Sequence, residues 1–382
     1  FHRLEPEMDE NNLLREAFNV EVVEDIAYRV RQVHPQFDAE EFVAGVLAGF
    51  LKLSFGDRAR KIVSGLERHL PSDFPKAAKI LVGALGPEPI EDELSGFSGF
   101  YVMPLTMYVS SHGMNHPDLS LDALYEMTKR FSAEGDIRPF IEKHPDRTLR
   151  FLYRLTEDPS PFARRLASEG TRPRLPLFGR LRGFQVDPEP VIALLDRLYT
   201  DESLMVRRSV ANNLNDISKD NPATVVATLA RWKSENPSPE LDWVVRHALR
   251  TLVKTSDTSA LKLLGFFTKG ISITNWTIDR RHLALGDSLR FSCGLESTAS
   301  QPQSLSMNYV IHFMKANGKP KPKVFRLPDK TLQPGEALLL SKYHKFIDYR
   351  NQRFYSGPHC IELVVNGMSY CKSDFTLAVG SD

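Results

Sequence analysis

The sequence lacks the features that mark membrane, secreted and strongly basic proteins. No run of about 18 apolar residues occurs, so no segment is predicted to span a membrane. The first ten residues are polar and acidic and lack the basic-then-apolar order of a signal peptide. Lysine plus arginine (49) nearly balance aspartate plus glutamate (48). A nucleic-acid partner would therefore have to be met by a local basic patch.

Cysteine is also scarce, and all three residues occur in the last quarter of the chain: Cys293, Cys360 and Cys371. Asn366-Gly367, flanked by apolar stretches, predicts a two-residue hairpin turn. That turn would pair Val365 with Met368 and place Cys371 opposite Glu362, which leaves Cys360 two positions beyond the partner of Cys371. A cross-strand disulfide is therefore not expected, and we predict free thiols in a reducing cytoplasm.

Two segments with different sequence patterns predict two domains for the 382 residues. Up to about residue 268, apolar residues recur at three- and four-residue spacing, as in Val23–Val30, and prolines separate the helices that this spacing predicts. We also predict helix starts at Ser120 and at Asp187-Pro188. The first segment is therefore predicted to be helical.

From about residue 270 the pattern changes to alternation of polar residues with β-branched and aromatic ones. Clear examples are Ser272–Trp276, Ser288–Ser292 and Tyr309–Phe313. Six or seven such runs fit a β-sandwich, and "immunoglobulin-like" refers only to architecture because the Cys-Trp-Cys signature of antibody domains is absent. We predict a helical domain over 1–268 and an immunoglobulin-like β-sandwich over 269–382.

The helical segment contains an internal repeat. Four copies align without gaps and are predicted to be helices: Thr128–Gly135, Ala163–Gly170, Val206–Asn212 and Val245–Thr251. Their offsets of 35, 43 and 39 residues are close to the roughly 40 to 47 residues of HEAT and armadillo repeats. The predicted fold class is therefore a HEAT-like α-solenoid followed by a β-sandwich. In a solenoid, equivalent positions of successive repeats lie on the same surface.

One position of the repeat is basic in every copy. The residues are Lys129 and Arg130, Arg164 and Arg165, Arg207 and Arg208, and Arg246 beside His247, with Arg250 and Lys254 extending the row. A regular row of guanidinium groups suits a phosphate backbone, because the arginine fork matches phosphate oxygens. The alternative is ordinary solvated charge on exposed helix faces.

A second position carries a carboxylate in the first two copies, Glu134 and Glu169, each four residues after an arginine and each followed by glycine. A surface ion pair at this spacing, worth about 0.2–0.5 kcal/mol, is the ordinary explanation. The neighbouring glycine and proline residues instead favour a position on a groove wall. Six arginines lie between residues 163 and 183, and nearby cations favour the charged form of a carboxylate.

Two carboxylates one repeat apart, set within a phosphate-binding row, suit the cleavage of an N-glycosidic bond. That cleavage develops positive charge on the sugar, which a carboxylate stabilises while it orients or deprotonates a water. A cationic N-alkylated base leaves readily, so no strong general acid is required. The chemistry parallels one half of glycoside hydrolysis.

Three segments resemble the AlkC branch of the HEAT-like-repeat (AlkC/AlkD) alkylation-repair DNA glycosylases: Ser132–Phe140, Ser168–Pro176 and Arg246–Leu252. The order of helices, repeats and late sandwich is also similar, so the resemblance covers nearly the whole chain. It implies an enzyme that starts base excision repair by removing cationic lesions such as 3-methyladenine and 3-methylcytosine from duplex DNA. It also implies no metal or cofactor, and no full extrusion of the base.

The resemblance further implies residue roles, with Glu134 and Glu169 as the active-site carboxylates and the sandwich gripping DNA as a second jaw. The basic residues predicted to bind DNA are Arg130, Arg138, Arg164, Arg165, Arg172, Arg174, Arg207, Arg208, Arg246, Arg250 and Lys254. The family pattern has a tryptophan after Leu-Pro, where this chain has Leu177-Phe178. These two residues are therefore the candidate contacts to the lesion, with Phe178 substituting from the next position.

Two other functions stay open: a noncatalytic HEAT-repeat protein that binds distorted duplex DNA, and a protein-binding scaffold. The basic row argues against a scaffold, whose groove would be expected to expose more apolar residues. The run Lys315–Lys323 predicts a basic hairpin loop that either contacts phosphate or only solubilises the loop. We predict a monomer that acts in the bacterial nucleoid and has no membrane partner.

Overall fold

The structure, a computed structural model, describes residues 16–89, 99–347 and 353–379. The helices are α1 Val20–Val33, α2 Ala39–Leu47, α3 Phe55–His69, α4 Phe74–Gly83, α5 Val102–His112, α6 Pro117–Thr128, α7 Arg138–Lys143, α8 Pro145–Leu155, α9 Pro161–Glu169, α10 Arg182–Val186, α11 Glu189–Leu195, α12 Leu204–Ile217, α13 Pro222–Glu235, α14 Pro239–Ala248, α15 Arg250–Lys254 and α16 Thr258–Leu263. The strands are β1 Ile271–Ile278, β2 His282–Ala284, β3 Ser288–Ser297, β4 Gln303–Leu305, β5 Met307–Met314, β6 Pro320–Arg326, β7 Lys330–Leu332, β8 Ala337–Lys345, β9 Gly357–Val365 and β10 Met368–Ala378. The chain divides into two compact units, 1–220 and 221–382.

The first unit consists of helices whose apolar faces follow the predicted spacing. In α1 the buried residues are Val23, Ile26, Ala27 and Val30, which lie on one face because an α-helix turns every 3.6 residues. Asn19 caps this helix, since its side chain accepts a hydrogen bond from the Val22 amide. The helical prediction for this part of the chain is confirmed.

One of the two predicted helix starts is confirmed. α11 begins directly after Asp187-Pro188, and the Asp187 carboxylate accepts a hydrogen bond from the Glu189 amide at 3.1 Å. The prediction at Ser120 is wrong, because α6 already begins at Pro117, whose ring fixes φ at a value suited to a first helical turn. Ser120 lies inside α6, where its buried hydroxyl donates to the Gly113 carbonyl at 2.9 Å.

The second unit contains the last four helices and all ten strands of the described residues. Its five-stranded sheet has the order β2-β10-β9-β5-β6, and its three-stranded sheet has the order β1-β3-β8. Strands β4 and β7 form a separate pair, and every pairing is antiparallel except that of β10 with β2. The three predicted strands are confirmed as parts of β1, β3 and β5. The basic run is only partly a loop, because Lys321 and Lys323 lie on β6.

The core of the sandwich lies between the two larger sheets. In β3 the alternate residues Leu289, Phe291, Cys293 and Leu295 are buried, because successive side chains of a strand point to opposite faces. They pack into one cluster with the inward residues of β5 and β9. The alternation in the sequence therefore predicts the inward face of the sheet correctly.

The predicted Asn366-Gly367 turn joins β9 to β10. Both residues have positive φ, 49° and 82°, as a type I′ turn requires, and the turn pairs Val365 with Met368 as predicted. The buried Asn366 side chain donates to the Phe267 carbonyl at 2.7 Å. This contact ties the turn to the segment that precedes β1.

The pairing predicted for Cys371 is wrong by one residue. A β-bulge between Ser369 and Cys371 shifts the register, so that Cys371 faces Leu363 and not Glu362. A bulge adds one residue to one strand, which a count outward from the turn does not anticipate. The cysteines are free thiols, as predicted.

Helices give way to strands between Leu263 and Ile271, near the predicted boundary at residue 268. The contacts divide the chain earlier, after Asp220, so the helices from Pro222 onward belong to the same unit as the strands. The domain division into 1–268 and 269–382 stays a prediction. Within the described residues, no helix combines the length and the apolar character needed to cross a bilayer.

Candidate active site

Glu169 lies at the end of α9, which packs against α12 in the first unit. Pro161 stands at the start of α9, where a missing amide hydrogen costs nothing. Only 7% of the surface of Glu169 is exposed. A carboxylate this buried needs partners to offset the water that it has lost.

Both carboxylate oxygens of Glu169 have such partners. Oε1 accepts a hydrogen bond from Arg172 Nη1 at 2.6 Å, and Oε2 accepts one from the Ser209 hydroxyl at 2.5 Å. The Ser209 Oγ also lies 2.9 Å from the hydroxyl of Ser168. These contacts fix the Glu169 carboxylate in its buried position.

Arg172 links Glu169 to a third carboxylate, that of Asp216. Its Nε donates to Asp216 Oδ2 at 2.8 Å, and Lys219 Nζ donates to Asp216 Oδ1 at 2.9 Å. Burial opposes the charge of Arg172, but the carboxylates of Glu169 and Asp216 outweigh burial and raise its pKa above the usual value. The result is a continuous buried array of alternating charges.

Glu134 has a different environment. Its Oε2 lies 3.5 Å from Arg165 Nη1, and this buried atom accepts no hydrogen bond within the described part of the chain. Its side chain is 20% exposed, compared with 9% for that of Glu169. Glu134 therefore combines a nearby guanidinium with an unused acceptor.

The first copy of the repeat, which carries Glu134, is not a helix, so that prediction is wrong. Helix α6 ends at Thr128, and residues 129–137 form turns. Within this segment Phe131 packs against the ring of Phe100, with centroids 4.7 Å apart, and Asp136 accepts hydrogen bonds from two hydroxyl groups of α5. These contacts hold the chain in turns, whereas a continued helix would carry both side chains away from their partners.

Arg138, which follows this turn, is only 4% exposed. Its guanidinium donates to the carbonyl oxygens of Gly170, Arg172 and Gly179 at 3.2, 2.7 and 2.5 Å. Burial lowers the pKa of Arg138 to about 10. Arg138 therefore ties the backbone before the 173–181 loop to Gly179 within it, and it does not present its charge at the surface.

The predicted lesion contacts, Leu177 and Phe178, lie in the 173–181 loop, whose ends are joined by a backbone hydrogen bond of 3.2 Å. Leu177 is 85% exposed and has a φ of 67°, a left-handed conformation that costs an L-residue about 1–2 kcal/mol. A Cβ added at Gly135 would overlap the ring of Phe178. Phe178 thus lies directly against the turn that carries Glu134.

The predicted DNA-binding residues fall into three groups, so the basic row is not uniformly exposed. The buried residues bonded to protein groups are Arg138, Arg164 and Arg172. The partly exposed residues held by carboxylates, carbonyls or a hydroxyl are Arg130, Arg165, Arg174 and Arg207. The exposed residues are Arg208, Arg246, Arg250 and Lys254.

Sequence reasoning missed the partners that α12 contributes. Ser209, Asn213 and Asp216 are all buried and stand at i, i+4 and i+7, which places them on one face of the helix. Asn213 Nδ2 donates to the Ser168 carbonyl at 2.7 Å. Three polar residues at this spacing on a face otherwise filled by apolar residues are the signal that would have identified them.

A helical segment with a buried carboxylate–arginine array, followed by a strand-rich sandwich, defines the class of this protein. A family model described as the C-terminal Ig-like domain of the uncharacterised protein YhaZ matches residues 272–379. YhaZ of Bacillus subtilis (strain 168) is 32% identical over 364 residues, which cover 95% of this chain and 98% of YhaZ.

A solved structure is similar over the same extent. The alkylpurine DNA glycosylase AlkC of Pseudomonas fluorescens, bound to DNA containing an abasic site analog, is 36% identical and has a TM-score of 0.78. The match covers 95% of this chain and 98% of that chain. The chain therefore belongs to the family of YhaZ and AlkC. Both the resemblance and the fold class predicted from the sequence are confirmed.

Proposed function

We propose that this protein is a DNA glycosylase that hydrolyses the N-glycosidic bond of cationic N-alkylated bases, such as 3-methyladenine and 3-methylcytosine, in duplex DNA. The observation that carries the proposal is the pair Glu134 and Glu169, two carboxylates at equivalent repeat positions and each next to an arginine. The similarity to AlkC along nearly the whole chain supports it.

The reaction that we propose balances with water alone. The bond between the sugar C1′ and the base nitrogen breaks, and its electron pair passes to the base, which loses its positive charge. Water adds to C1′ and releases a proton to a carboxylate and then to solvent. The positive charge that develops on the sugar is stabilised by a nearby fixed carboxylate.

We assign this contact with the sugar and the water to Glu134. Its Oε2 accepts no hydrogen bond from the described residues, whereas both oxygens of Glu169 already accept hydrogen bonds. Glu169 acts instead as a positioning residue that fixes Arg172 and, through it, Asp216. Both residues are glutamates with the same intrinsic chemistry, so their different hydrogen bonds are the basis for the different roles.

We propose that the 173–181 loop contacts the lesion and that exposed cations hold the phosphate backbone. The ring of Phe178, next to the Glu134 turn, supplies a face for a cationic base. The backbone contacts would come from Arg208, Arg246, Arg250 and Lys254. The monomeric state and the nucleoid location stay predictions.

The test is single-turnover release of 3-methyladenine and 3-methylcytosine from duplex DNA by the wild type, Glu134→Gln and Glu169→Gln. We expect Glu134→Gln to slow release by roughly 10²–10³-fold, the range found when a transition-state contact is removed, with DNA binding retained. Glu169→Gln should slow release and also lower stability, because its carboxylate is buried in the array. Glu142→Gln, an exposed change on α7, is the control and should behave as the wild type.

The other outcomes identify the alternatives. Salt-dependent binding of duplex DNA without release of any base would contradict the enzyme and leave a noncatalytic DNA-binding protein. Absence of DNA binding would leave a protein-binding scaffold. Equal rates for all three carboxylate variants would reject both Glu134 and Glu169 as functional residues.

A further inference from the structure

A cavity distant in sequence from Glu134 and Glu169 lies within the second unit. Its volume is about 660 Å³, within the roughly 300–1,000 Å³ of small-molecule sites. One wall comes from the helices between residues 222 and 263, and the other comes from β5 and β6. Arg246, Arg250 and Lys254, which we proposed above as contacts to the DNA backbone, also line this cavity.

The charges that line the cavity leave an excess of positive charge. Asp242 pairs with Lys233 at 2.9 Å, and Asp329 pairs with Arg326 at 2.5 Å. Arg246 and Lys254 are exposed on the same wall and form no ion pair with any described residue. The cavity therefore attracts an anion, and the arginine fork suits phosphate.

Asn308, a further residue of the cavity lining, carries an unsatisfied polar atom. It lies on β5 with no exposed surface, directly opposite Arg326, so both side chains are on the face turned away from the sandwich core. Its Nδ2 donates to the Ser256 hydroxyl at 2.9 Å. Its Oδ1 is buried and accepts no hydrogen bond from the described residues, which is rare for a buried polar atom.

The apolar part of the lining includes Phe266 and Val324. A ligand that fits all these features has an anionic group, a flat apolar body and an N–H donor. We propose that the cavity binds a nucleoside monophosphate unit, with its phosphate at Arg246 and Lys254, its base against Phe266 and Val324, and a base amino group donating to Asn308 Oδ1. The proposal does not depend on glycosylase activity.

The first experiment titrates the full chain with adenosine 5′-monophosphate, adenosine and inorganic phosphate by calorimetry. The monophosphate should bind at least about tenfold more tightly than either part alone, because only it occupies both ends of the cavity. The double variant Arg246→Glu/Lys254→Glu should weaken it at least about tenfold. Lys262→Glu, an exposed change outside the cavity, should have no effect. Monophosphate binding that the double variant leaves unchanged would overturn the proposal.

The base contact is tested on the ligand, which avoids a buried substitution that could unfold the protein. N6,N6-dimethyladenosine monophosphate has no amino hydrogen to donate and should bind about five- to tenfold more weakly than adenosine monophosphate. Equal binding of the two would reject the contact to Asn308. Asn308→Leu, if it folds, should bind both ligands with the same weakened affinity.

The nucleotide could be free or part of a DNA end, and a further arm separates these sources. If it belongs to DNA, a duplex with a 5′-phosphorylated single-nucleotide flap should bind more tightly than a blunt duplex, and adenosine monophosphate should displace the flap. If it is free, the monophosphate should bind while the flap has no effect. Failure of both the monophosphate and the flap would overturn the proposal.

Discussion

The pH dependence of stability should report the environment of Asp136, two residues after Glu134. Its carboxylate accepts hydrogen bonds from Thr106 and Ser110 at 2.6 and 2.9 Å. Burial raises the pKa of Asp136 from 3.8 to about 6, and the charge of Glu134 adds to this effect, while the two hydroxyl groups oppose it. The ionised form of Asp136 is therefore less stable in the folded protein than in the unfolded chain.

The sign and size of the effect follow from linkage. Between about pH 4 and 6 the folded state binds this proton and the unfolded state does not, so the free energy of unfolding falls as the pH rises through that range. A pKa raised by about two pH units corresponds to about 3 kcal/mol. Because Asp136 keeps part of its surface exposed, we take this as the upper limit. The contribution of Asp136 to the free energy of unfolding is fully present below about pH 4 and is lost above about pH 6.

Two variants should respond in opposite directions in urea unfolding at pH 4.5 and 7.5. Asp136→Asn removes the titration, so its stability relative to the wild type should be higher at pH 7.5 than at pH 4.5. Thr106→Val removes a hydroxyl donor from the carboxylate, which raises the Asp136 pKa further, so its relative stability should be lower at pH 7.5 than at pH 4.5.

The control is Asp57→Asn. Hydrogen bonds from Ser54 and Arg60 lower the pKa of the exposed Asp57, so its contribution is lost only when the pH falls through a value below 3.8, and its difference from the wild type should be constant between pH 4.5 and 7.5. If Asp136→Asn gives the same difference at both pH values, then burial does not act on this carboxylate and the reasoning is refuted.

Three further predictions concern single residues. Arg172→Met leaves the buried Glu169 and Asp216 without their common partner and should lower the free energy of unfolding by about 3–5 kcal/mol in urea. Leu177→Gly relieves a left-handed backbone and should raise stability by about 1 kcal/mol, while slowing base release if the side chain contacts DNA. Gly367→Ala combines a φ of 82° with a Cβ only 2.7 Å from a backbone carbonyl, and should lower stability by about 1–3 kcal/mol in thermal melting.

The control for Arg172→Met is Arg197→Met, which breaks an exposed ion pair and should lower the free energy of unfolding by less than about 1 kcal/mol. An equally small loss for Arg172→Met would mean that the buried array of charges adds nothing to stability. A loss of stability in Leu177→Gly would show that the strain is absent. For Gly367, the matched change is Gly183→Ala on α10, which meets open space and should be tolerated; equal melting of both variants would contradict the close approach.

Local patterns in the sequence predicted the change from helix to strand, the strands with their inward faces, and the turn at Asn366-Gly367. They could do so because helix and strand periods are properties of neighbouring residues. The repeat also selected Glu134 and Glu169 as candidate residues. The helix that the repeat predicts over Thr128–Gly135 is absent because of distant contacts. Phe131 and Asp136 make these contacts, and they keep the segment that carries Glu134 in a turn.

The sequence by itself determined the two-part architecture and the two candidate carboxylates, whereas only the tertiary structure decided which charges are satisfied. Arg164 and Arg165 are adjacent and share one column of the repeat. Arg164 is buried against Asp201, while Arg165 lies beside Glu134. The reason is that successive residues of a helix point about 100° apart, so their partners come from segments that are distant in sequence and are brought together only by packing.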